Sequence, residues 1–513
     1  MSTASPPVAR PGLTLFAVCA AVLVLPASLT GTSVALPSIA ADLHATLAPT
    51  QWVVNAYNLT FATFMLALGA LADIVGRKRM FGTGVAIFAL TSLASTFAGD
   101  IYLLDALRGL SGIGAAAVLT AGSAMIADVY QGAALGRAFG IFGTAAGAGL
   151  ALGPSTSGLL IGAFGWRSVF FSHLLIMVVV LAVVPLLRES RNPAASKVDW
   201  LGTATFTAGL FVFTLAIVEG PQRGWLDVLV LVLLAAAVLL LRLFVGVERR
   251  QRQPMFDLAL FRQPRFVALC LLPVVAAFGF VSLAVLLPQY FIGVDGVTSQ
   301  GAGLRMLLLT VPVLAVPMIG AWLAAKLLGT RTVLVLSLLC MAVGTAWLAS
   351  VLGPGVGVAA IALPLLLVGA GMGLNAGILD GVAISSVEPE RAGMAAGMFN
   401  TMRLAGEAVA IAIMGALLVT FTQARLRGGP AEATSELASQ VVQGDLGAAA
   451  SRVADADRAG FAGFLADGYT GAFQTTLWLI AGICVVGSVV IAVLLPGHKP
   501  APEVAPEPVG EPA

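Results

Sequence analysis

The sequence predicts an all-α membrane protein, and three observations carry that reading. The chain of 513 residues is 59% hydrophobic and only 10% charged, against roughly 25% charged in ordinary soluble domains. Apolar stretches of membrane-spanning length, about 20 residues at ~1.5 Å of rise each, recur from near the start almost to the end. The cations between them favour alternate connections. The formal net charge of +2 leaves no global field to draw in nucleic acid or an acidic partner.

Taken in order, fourteen stretches qualify as spans: 13 to 36, 50 to 72, 80 to 98, 102 to 126, 138 to 162, 169 to 187, 200 to 218, 226 to 246, 266 to 291, 302 to 326, 332 to 352, 357 to 384, 394 to 421 and 472 to 495. The first follows the short segment 1 to 12; it is longer than a typical signal-peptide core and more spans follow, so it reads as retained. Cations such as Arg77, Lys78, Arg79, Arg137, Arg188 and Arg249 all fall on one side if the amino terminus is cytoplasmic. Of the six cations on the other side, Arg425, Arg427, Arg452 and Arg458 share the one long loop, 422 to 471, and long loops cross with little regard to charge. Both termini are therefore expected in the cytoplasm. The long loop mixes Ala with spaced charges and reads first as a solvated connector, short helices over the outer mouth being the other option. The tail 496 to 513 is Pro- and Glu-rich with nothing to bury, hence an expected disordered end. Cys19, Cys270, Cys340 and Cys484 lie within apolar runs and suggest neither a disulfide nor a zinc site.

One short stretch breaks the pattern. "GALADIVGRKRM" (Gly69 to Met80) places Asp73, Arg77, Lys78 and Arg79 within seven residues. At the bilayer centre each would cost ~2.5–3.5 kcal/mol, so they belong in a tight turn at a membrane edge, with Gly69 and Gly76 allowing close helix approach and chain reversal. Anchoring alone accounts for Lys78 and Arg79 but not for Asp73. Gly69, Leu71, Ala72, Asp73, Gly76, Arg77 and Lys78 together resemble the loop motif G-x-L-A-D-x-x-G-R-K of the major facilitator superfamily. The resemblance implies two six-helix bundles and makes Asp73 and Arg77 parts of a cytoplasmic gate, with Asp380 as a partner group. A degenerate echo, Gly320 to Arg331, occupies the corresponding turn of a second half, with Ala325 about where the acid would stand. The expected division is therefore 13 to 187, a linker of 188 to 265 holding two inserted helices, and 266 to 495.

Two further stretches narrow the likeness. Arg108, Gly112 and Gly114 resemble the superfamily's R-x-x-x-G-x-G motif, and Gly149, Gly153, Pro154 and Gly158 resemble its antiporter motif, with Ser157 in place of one Gly. With the span count, the chain resembles the fourteen-helix drug:proton antiporter branch. Many members of that branch carry an Asp in span one, where this chain has Ser28. The proton carrier is then expected elsewhere. Arg403 and Glu407 are i, i+4 on one helical face, and a carboxyl moving between an apolar setting and a nearby Arg is a workable proton switch; a static internal pair is the alternative. Asp105 and Arg108 are i, i+3, the Arg as a cavity cation by resemblance, the acid as its partner or a helix cap. Arg305 reads as an interface anchor and His173 as a bystander. Cavity candidates for substrate are Ser28, Thr32, Asn55, Asn58 and Gln289, with Trp52, Tyr57 and Tyr290 near the outer mouth, where these aromatics read equally as headgroup-belt anchors; few fixed charges among apolar walls favour amphipathic organic molecules.

The expectation is a proton-driven exporter of hydrophobic or amphipathic drugs or antibiotics in the cytoplasmic membrane, without a cofactor, working as a monomer. Export of one defined metabolite is the rival within transporters. No G-x-x-x-x-G-K-[ST] phosphate loop occurs, which disfavours an ATP-driven pump, and no His or acid constellation suggests an enzyme. A non-transporting receptor would not explain two half-repeats with intramembrane ion pairs.

Overall fold

The computed structural model describes residues 10–191, 200–251, 260–376, 378–379, 392–454 and 457–495, and the regular structure among them is helical throughout. The helices are α1 (Pro11–Asp42), α2 (Leu47–Val75), α3 (Arg77–Thr96), α4 (Ile101–Val129), α5 (Gly132–Phe164), α6 (Arg167–Val183), α7 (Trp200–Arg223) and α8 (Val228–Glu248). They continue with α9 (Pro264–Gly293), α10 (Ser299–Lys326), α11 (Thr330–Val351), α12 (Val358–Ala376), α13 (Ala392–Arg425), the short α14 (Ser435–Val442) and α15 (Leu446–Ala450), and α16 (Arg458–Leu494). Helix α9 contains one π turn, Ala277–Val281, and α10 is interrupted at Val316, ahead of Pro317. Proline removes a helix donor and crowds the preceding turn, so such breaks are tolerated where neighbouring helices cover the freed carbonyl.

Twelve of these helices are long and apolar enough to cross a membrane, thirteen if the bent α2 counts as one span. The expected span at 80 to 98 is a helix, α3, but three cations occupy its first turn and Gly, Thr and Ser dilute the remainder. Large apolar side chains such as Leu239, Val343, Val486 and Val493 are exposed, which suits lipid and not water. Polar caps mark helix starts: Asp100 accepts from the Leu103 N–H, Asp227 from Leu229 and Thr298 from Gly301.

Helix α1 packs on α4, α5 and α6, α2 on α4, and α3 on α4 and α6; α9 packs on α13 and α16, α10 on α12, and α11 on α12 and α16. The two groups meet along α5–α10, α2–α13 and α1–α9. Helix α7 lies against both α2 and α13 and carries α8 on its other side. The Trp52 ring lies tilted against Phe211 with centroids 5.6 Å apart, and the Trp225 indole N–H donates to Thr420 Oγ1 at 3.2 Å.

The long loop is not the solvated connector expected first. Thr434 caps α14 through the Leu437 N–H, and Leu437, Val441, Val442, Leu446 and Ala449 are buried. Leu437 and Val441 repeat at i, i+4 and form an apolar stripe that needs a partner. It lies on α13 and α16, and the Tyr469 hydroxyl donates to the Val442 carbonyl at 3.3 Å. Helix α16 also starts fourteen residues before the expected span, because Arg458 to Gly471 continue the helix beyond the apolar stretch.

On this loop face, Asp42 at the exposed end of α1 accepts from the Arg167 guanidinium at 2.6 Å and the Trp166 indole at 3.1 Å, and Arg167 also donates to the Ala98 carbonyl. The Arg167 hydrogen bond first, then that of Trp166, holds the Asp42 carboxyl below its usual value. A depressed folded-state value means the contribution is complete above about pH 4, the unfolded carboxylate value, and is lost as pH falls through the folded one. Because the pair is exposed the effect is small. Thermal unfolding midpoints of the detergent-purified protein should decline slightly below pH 4, and Arg167→Ala should flatten that decline. Asp295 plays the corresponding part after α9: it pairs with Arg305 and accepts from the Gly355 N–H at 3.1 Å. Arg305 is thus an ion-pair partner and not a lone interface anchor.

Candidate functional site

Arg108 is fully buried at 1% exposure among α1, α2, α4 and α6. Its Nε donates to the Val53 carbonyl at 2.8 Å, one terminal nitrogen to Ser28 Oγ at 2.7 Å and the other to the Ser28 carbonyl at 3.3 Å. The guanidinium carbon sits 4.3 Å from the Tyr57 ring centroid, and the Tyr57 hydroxyl donates to the Leu25 carbonyl at 2.9 Å. The planar fork meets two carbonyls, a hydroxyl and a π face at once, a set that suits Arg and not Lys. Among the described residues no carboxylate is within ion-pair distance of Arg108. Ser28, standing where the resembling branch has its acid, is the side chain Arg108 touches, and Thr32 Oγ1 donates to the Ser28 carbonyl at 2.6 Å.

Asp105 shares a helix with Arg108 but does not pair with it, because the guanidinium is drawn between α1 and α2; one carboxyl oxygen is buried without a hydrogen bond. It is not the helix cap either, a role taken by Asp100. His173 is buried against Phe88 and Phe170 with Nδ1 unpartnered.

The second cluster lies along the α2–α13 seam. Gly415 stands beside Gln51 and Ile411 lines one cavity with Val54 and Asn55, so Glu407, one turn back from Ile411 on α13, lies on the face of α13 turned to α2. Glu407 is half-buried, its charge acts on Tyr57, and Arg403 acts on it from one turn away. Asn58 is buried with both amide atoms unpartnered, and Asn55 Oδ1 is unpartnered too. Toward the loop face the seam encloses a cavity of about 30 Å³ lined by Asn55, Gln289, Ile411, Val442 and Gln443, among others. Of the expected cavity residues, Asn55 and Gln289 line it, while Ser28, Thr32 and Tyr57 belong to the Arg108 network. Tyr290 does not face the seam: its hydroxyl is 2.9 Å from Thr470 Oγ1 and its ring packs on Tyr469 and Phe473 inside the α9–α16 contact. Neither tyrosine lies at a mouth; both are fully buried.

The span-five motif is a packing seam. A Cβ on Gly149 would come within 1.9 Å of the Leu23 carbonyl oxygen, one on Gly153 within 2.4 Å of Thr30 Oγ1, and one on Gly158 within 2.6 Å of the Ser299 carbonyl oxygen. The first two seat α1 on α5; the third joins α5 to α10 across the two groups, where Ser155 Oγ also donates to the Gly303 carbonyl at 2.8 Å. Pro154 adds its carbonyl to the same crossing, beside Gly303. Ser157, the departure from the motif, is matched by Gly31, whose missing Cβ leaves room for its hydroxyl. At the other end of α5, Gly140, Gly143 and Gly147 face open space. Gly149→Val should therefore cost roughly 3 kcal/mol or more through overpacking against backbone, lowering membrane yield and the unfolding midpoint, while Gly147→Ala should change neither.

The basic turn closes on the end of α4 and on the segment that follows α6. Arg77 Nε pairs with Asp73 at 2.9 Å and its guanidinium approaches Asp128 at 3.7 Å. The Arg77 N–H donates to the Ser190 carbonyl, the Lys78 N–H to Glu189 at 3.0 Å, and Lys78 Nζ to the Pro185 carbonyl at 2.9 Å. Gly76, at φ +124°, makes the reversal, and a Cβ there would strike the Glu189 carboxylate. Gly69 faces Thr120 at ordinary contact distance. Asp380, expected as a gate partner, lies outside the described residues. Sequence reasoning missed Glu189, Asp128 and Gln443: the acids lie far along the chain from the turn, and Gln443 sat in a loop read as solvated.

Comparison with known proteins agrees with this geometry. The family model for the Major Facilitator Superfamily matches residues 18–411. The chain is 32% identical over 399 residues to the multidrug resistance protein Stp of Mycobacterium tuberculosis, covering 77% of this chain and 73% of that protein. It is 32% identical over 454 residues to a probable actinorhodin transporter of Streptomyces coelicolor, covering 83% and 75%. A tetracenomycin C resistance and export protein of Streptomyces glaucescens is 30% identical, covering 80% and 76%. Among solved structures, a bacterial homolog of the human lysosomal transporter Spinster aligns with a TM-score of 0.62 at 16% identity, over 94% of this chain and 96% of that one, a likeness of fold.

Proposed function

The chain belongs to the Major Facilitator Superfamily, and from that premise we propose that this transporter is a proton-coupled antiporter exporting hydrophobic or amphipathic drugs or antibiotics across the cytoplasmic membrane by alternating access. Its relatives named above are multidrug or antibiotic efflux proteins. In this reading fourteen spans cross the membrane, α3 among them, both termini are cytoplasmic, and the protein works as a monomer without a cofactor. The segments 13 to 187 and 266 to 495 rock against each other, with α7 and α8 covering the α2–α13 seam.

The observation that carries the proposal is the position of Glu407: an acid on the seam between the two halves, one turn along α13 from the cavity-lining Ile411 and near enough for its charge to act on Tyr57, which itself packs on Arg108. A proton carrier must lie where the two halves part, and this acid does. Arg108 and Asp105 act behind it. Arg108 is a fixed buried cation held by neutral groups, and Asp105 is an acid without a fixed partner. The turn at Asp73 and Arg77 is the cytoplasmic latch; among the described residues it pairs with Asp128 at the end of α4 and with the segment after α6, while Ser155 joins α5 to α10 toward the loop face. Accumulation of a dye and antibiotic panel in cells expressing the protein tests the reading: export should be abolished by a protonophore. Export that survives the protonophore would remove the proton, and export of one compound alone would favour a dedicated metabolite exporter.

A further inference from the structure

The seam cavity holds one or two non-hydrogen atoms: about 30 Å³ is the room of a single water or one oxygen-bearing substituent. Two residues of its wall each carry a buried amide atom without a partner, Asn55 Oδ1, an acceptor, and Gln443 Nε2, a donor. Both residues are more than nine-tenths buried, at 2% and 7% exposure. A buried amide left without a hydrogen bond is costly, so two amide side chains bordering one small chamber, one with an unpaired acceptor and one with an unpaired donor, mark a place where a third group can supply both. A hydroxyl does so: its hydrogen goes to Asn55 Oδ1 and its lone pair receives the Gln443 Nε2 hydrogen. An ether oxygen only accepts. The polar side chains on the wall are uncharged, Thr50, Gln51, Asn55, Gln289 and Gln443, so a carboxylate or ammonium would enter without a counter-charge.

Gln443 is held in place. Its N–H donates to the Ser439 carbonyl at 3.0 Å, Gly444 turns the chain at φ +84°, and Gly444 packs so closely on α9 that a Cβ on Gly293 would come within 2.5 Å of its Cα. Asn58 and Glu407 continue the same polar line one turn deeper along the seam.

Resting on the export reading above, we infer that this chamber seats a hydroxyl of the cargo, phenolic or alcoholic, and that Gln443 makes the long loop part of the substrate-binding surface. Titration of the purified full-length protein with the phenolic bisbenzimide dye and with its ethoxy analogue, read by dye fluorescence, tests this. Wild type should bind the phenol about fivefold more tightly than the ether, the scale of one net hydrogen bond. Gln443→Met and Asn55→Leu, close to isosteric, should each bring that ratio toward one, with unfolding midpoints confirming that both variants fold. Equal affinities in wild type, a ratio that neither variant changes, or no binding of either dye would overturn the inference and leave the chamber to water. A hydroxyl preference lost in the variants, without protonophore-sensitive export from cells, would leave the seat standing and overturn the export reading instead.

Discussion

Glu407→Gln should yield a folded protein that binds cargo but cannot concentrate it. Glutamine keeps the size and hydrogen bonding of the side chain while removing the exchangeable proton, so contacts along the α2–α13 seam survive. One elementary charge moved across ~100 mV is worth ~2.3 kcal/mol, equivalent to roughly a 50-fold concentration ratio, and this is the gradient the variant should lose. In proteoliposomes with an imposed pH gradient, wild type should concentrate dye against its gradient, while Glu407→Gln should only equilibrate it and ignore a protonophore. Dye affinity should stay within about threefold of wild type, below one net hydrogen bond. Full proton-driven export by Glu407→Gln would place the carrier elsewhere, and Asp105→Asn is then the variant to measure.

Arg108→Lys should be the second large loss, even though charge is conserved. Arg108 makes three hydrogen bonds, to Val53 and to both oxygens of Ser28, and covers the Tyr57 ring. An ammonium on a flexible stem cannot span the two helices and stack on the ring together. Losing one or two charge-assisted hydrogen bonds and the ring contact is worth about 3 kcal/mol. Thermal unfolding in detergent should report a midpoint several degrees lower, and export should fall at least tenfold. Ser28→Ala should show a smaller loss, because the Ser28 and Val53 carbonyls remain as acceptors. A Lys variant with the stability and export of wild type would reduce Arg108 to a packing residue.

How much of this was legible beforehand differs from residue to residue. Asp73 and Arg77 are four apart on adjoining helices, so their pairing could be read from spacing; Asp128 beside Arg77 and Glu189 under the Lys78 N–H could not, since they arrive from the end of α4 and from the segment after α6. The motif glycines were legible as close-approach positions, but not that Gly149 meets α1 while Gly158 meets α10. Ser28 read as a missing acid, yet only its contact with Arg108 shows what that absence means: a buried cation held by neutral oxygens. Tyr290 read as cavity-facing because a polar aromatic in an apolar helix suggests a wet surface; its hydroxyl finds Thr470 inside the bundle instead.

The order of helices, their approximate lengths, the tight basic turn and the superfamily were determined by the amino-acid sequence alone. In lipid every backbone polar group must be satisfied within its own segment, which makes span length and composition local properties that read directly along the chain. Only the tertiary structure decided which side chains meet: Glu407 on the α2–α13 seam, Arg108 on Ser28, and Gln443 closing a chamber from a loop that reads as connector. Helices that are apolar all round carry almost no signal of which face packs, because lipid and neighbouring helix are nearly equivalent solvents for Leu and Val. Faces are then chosen by glycine contacts and buried hydrogen bonds between segments far apart in the chain.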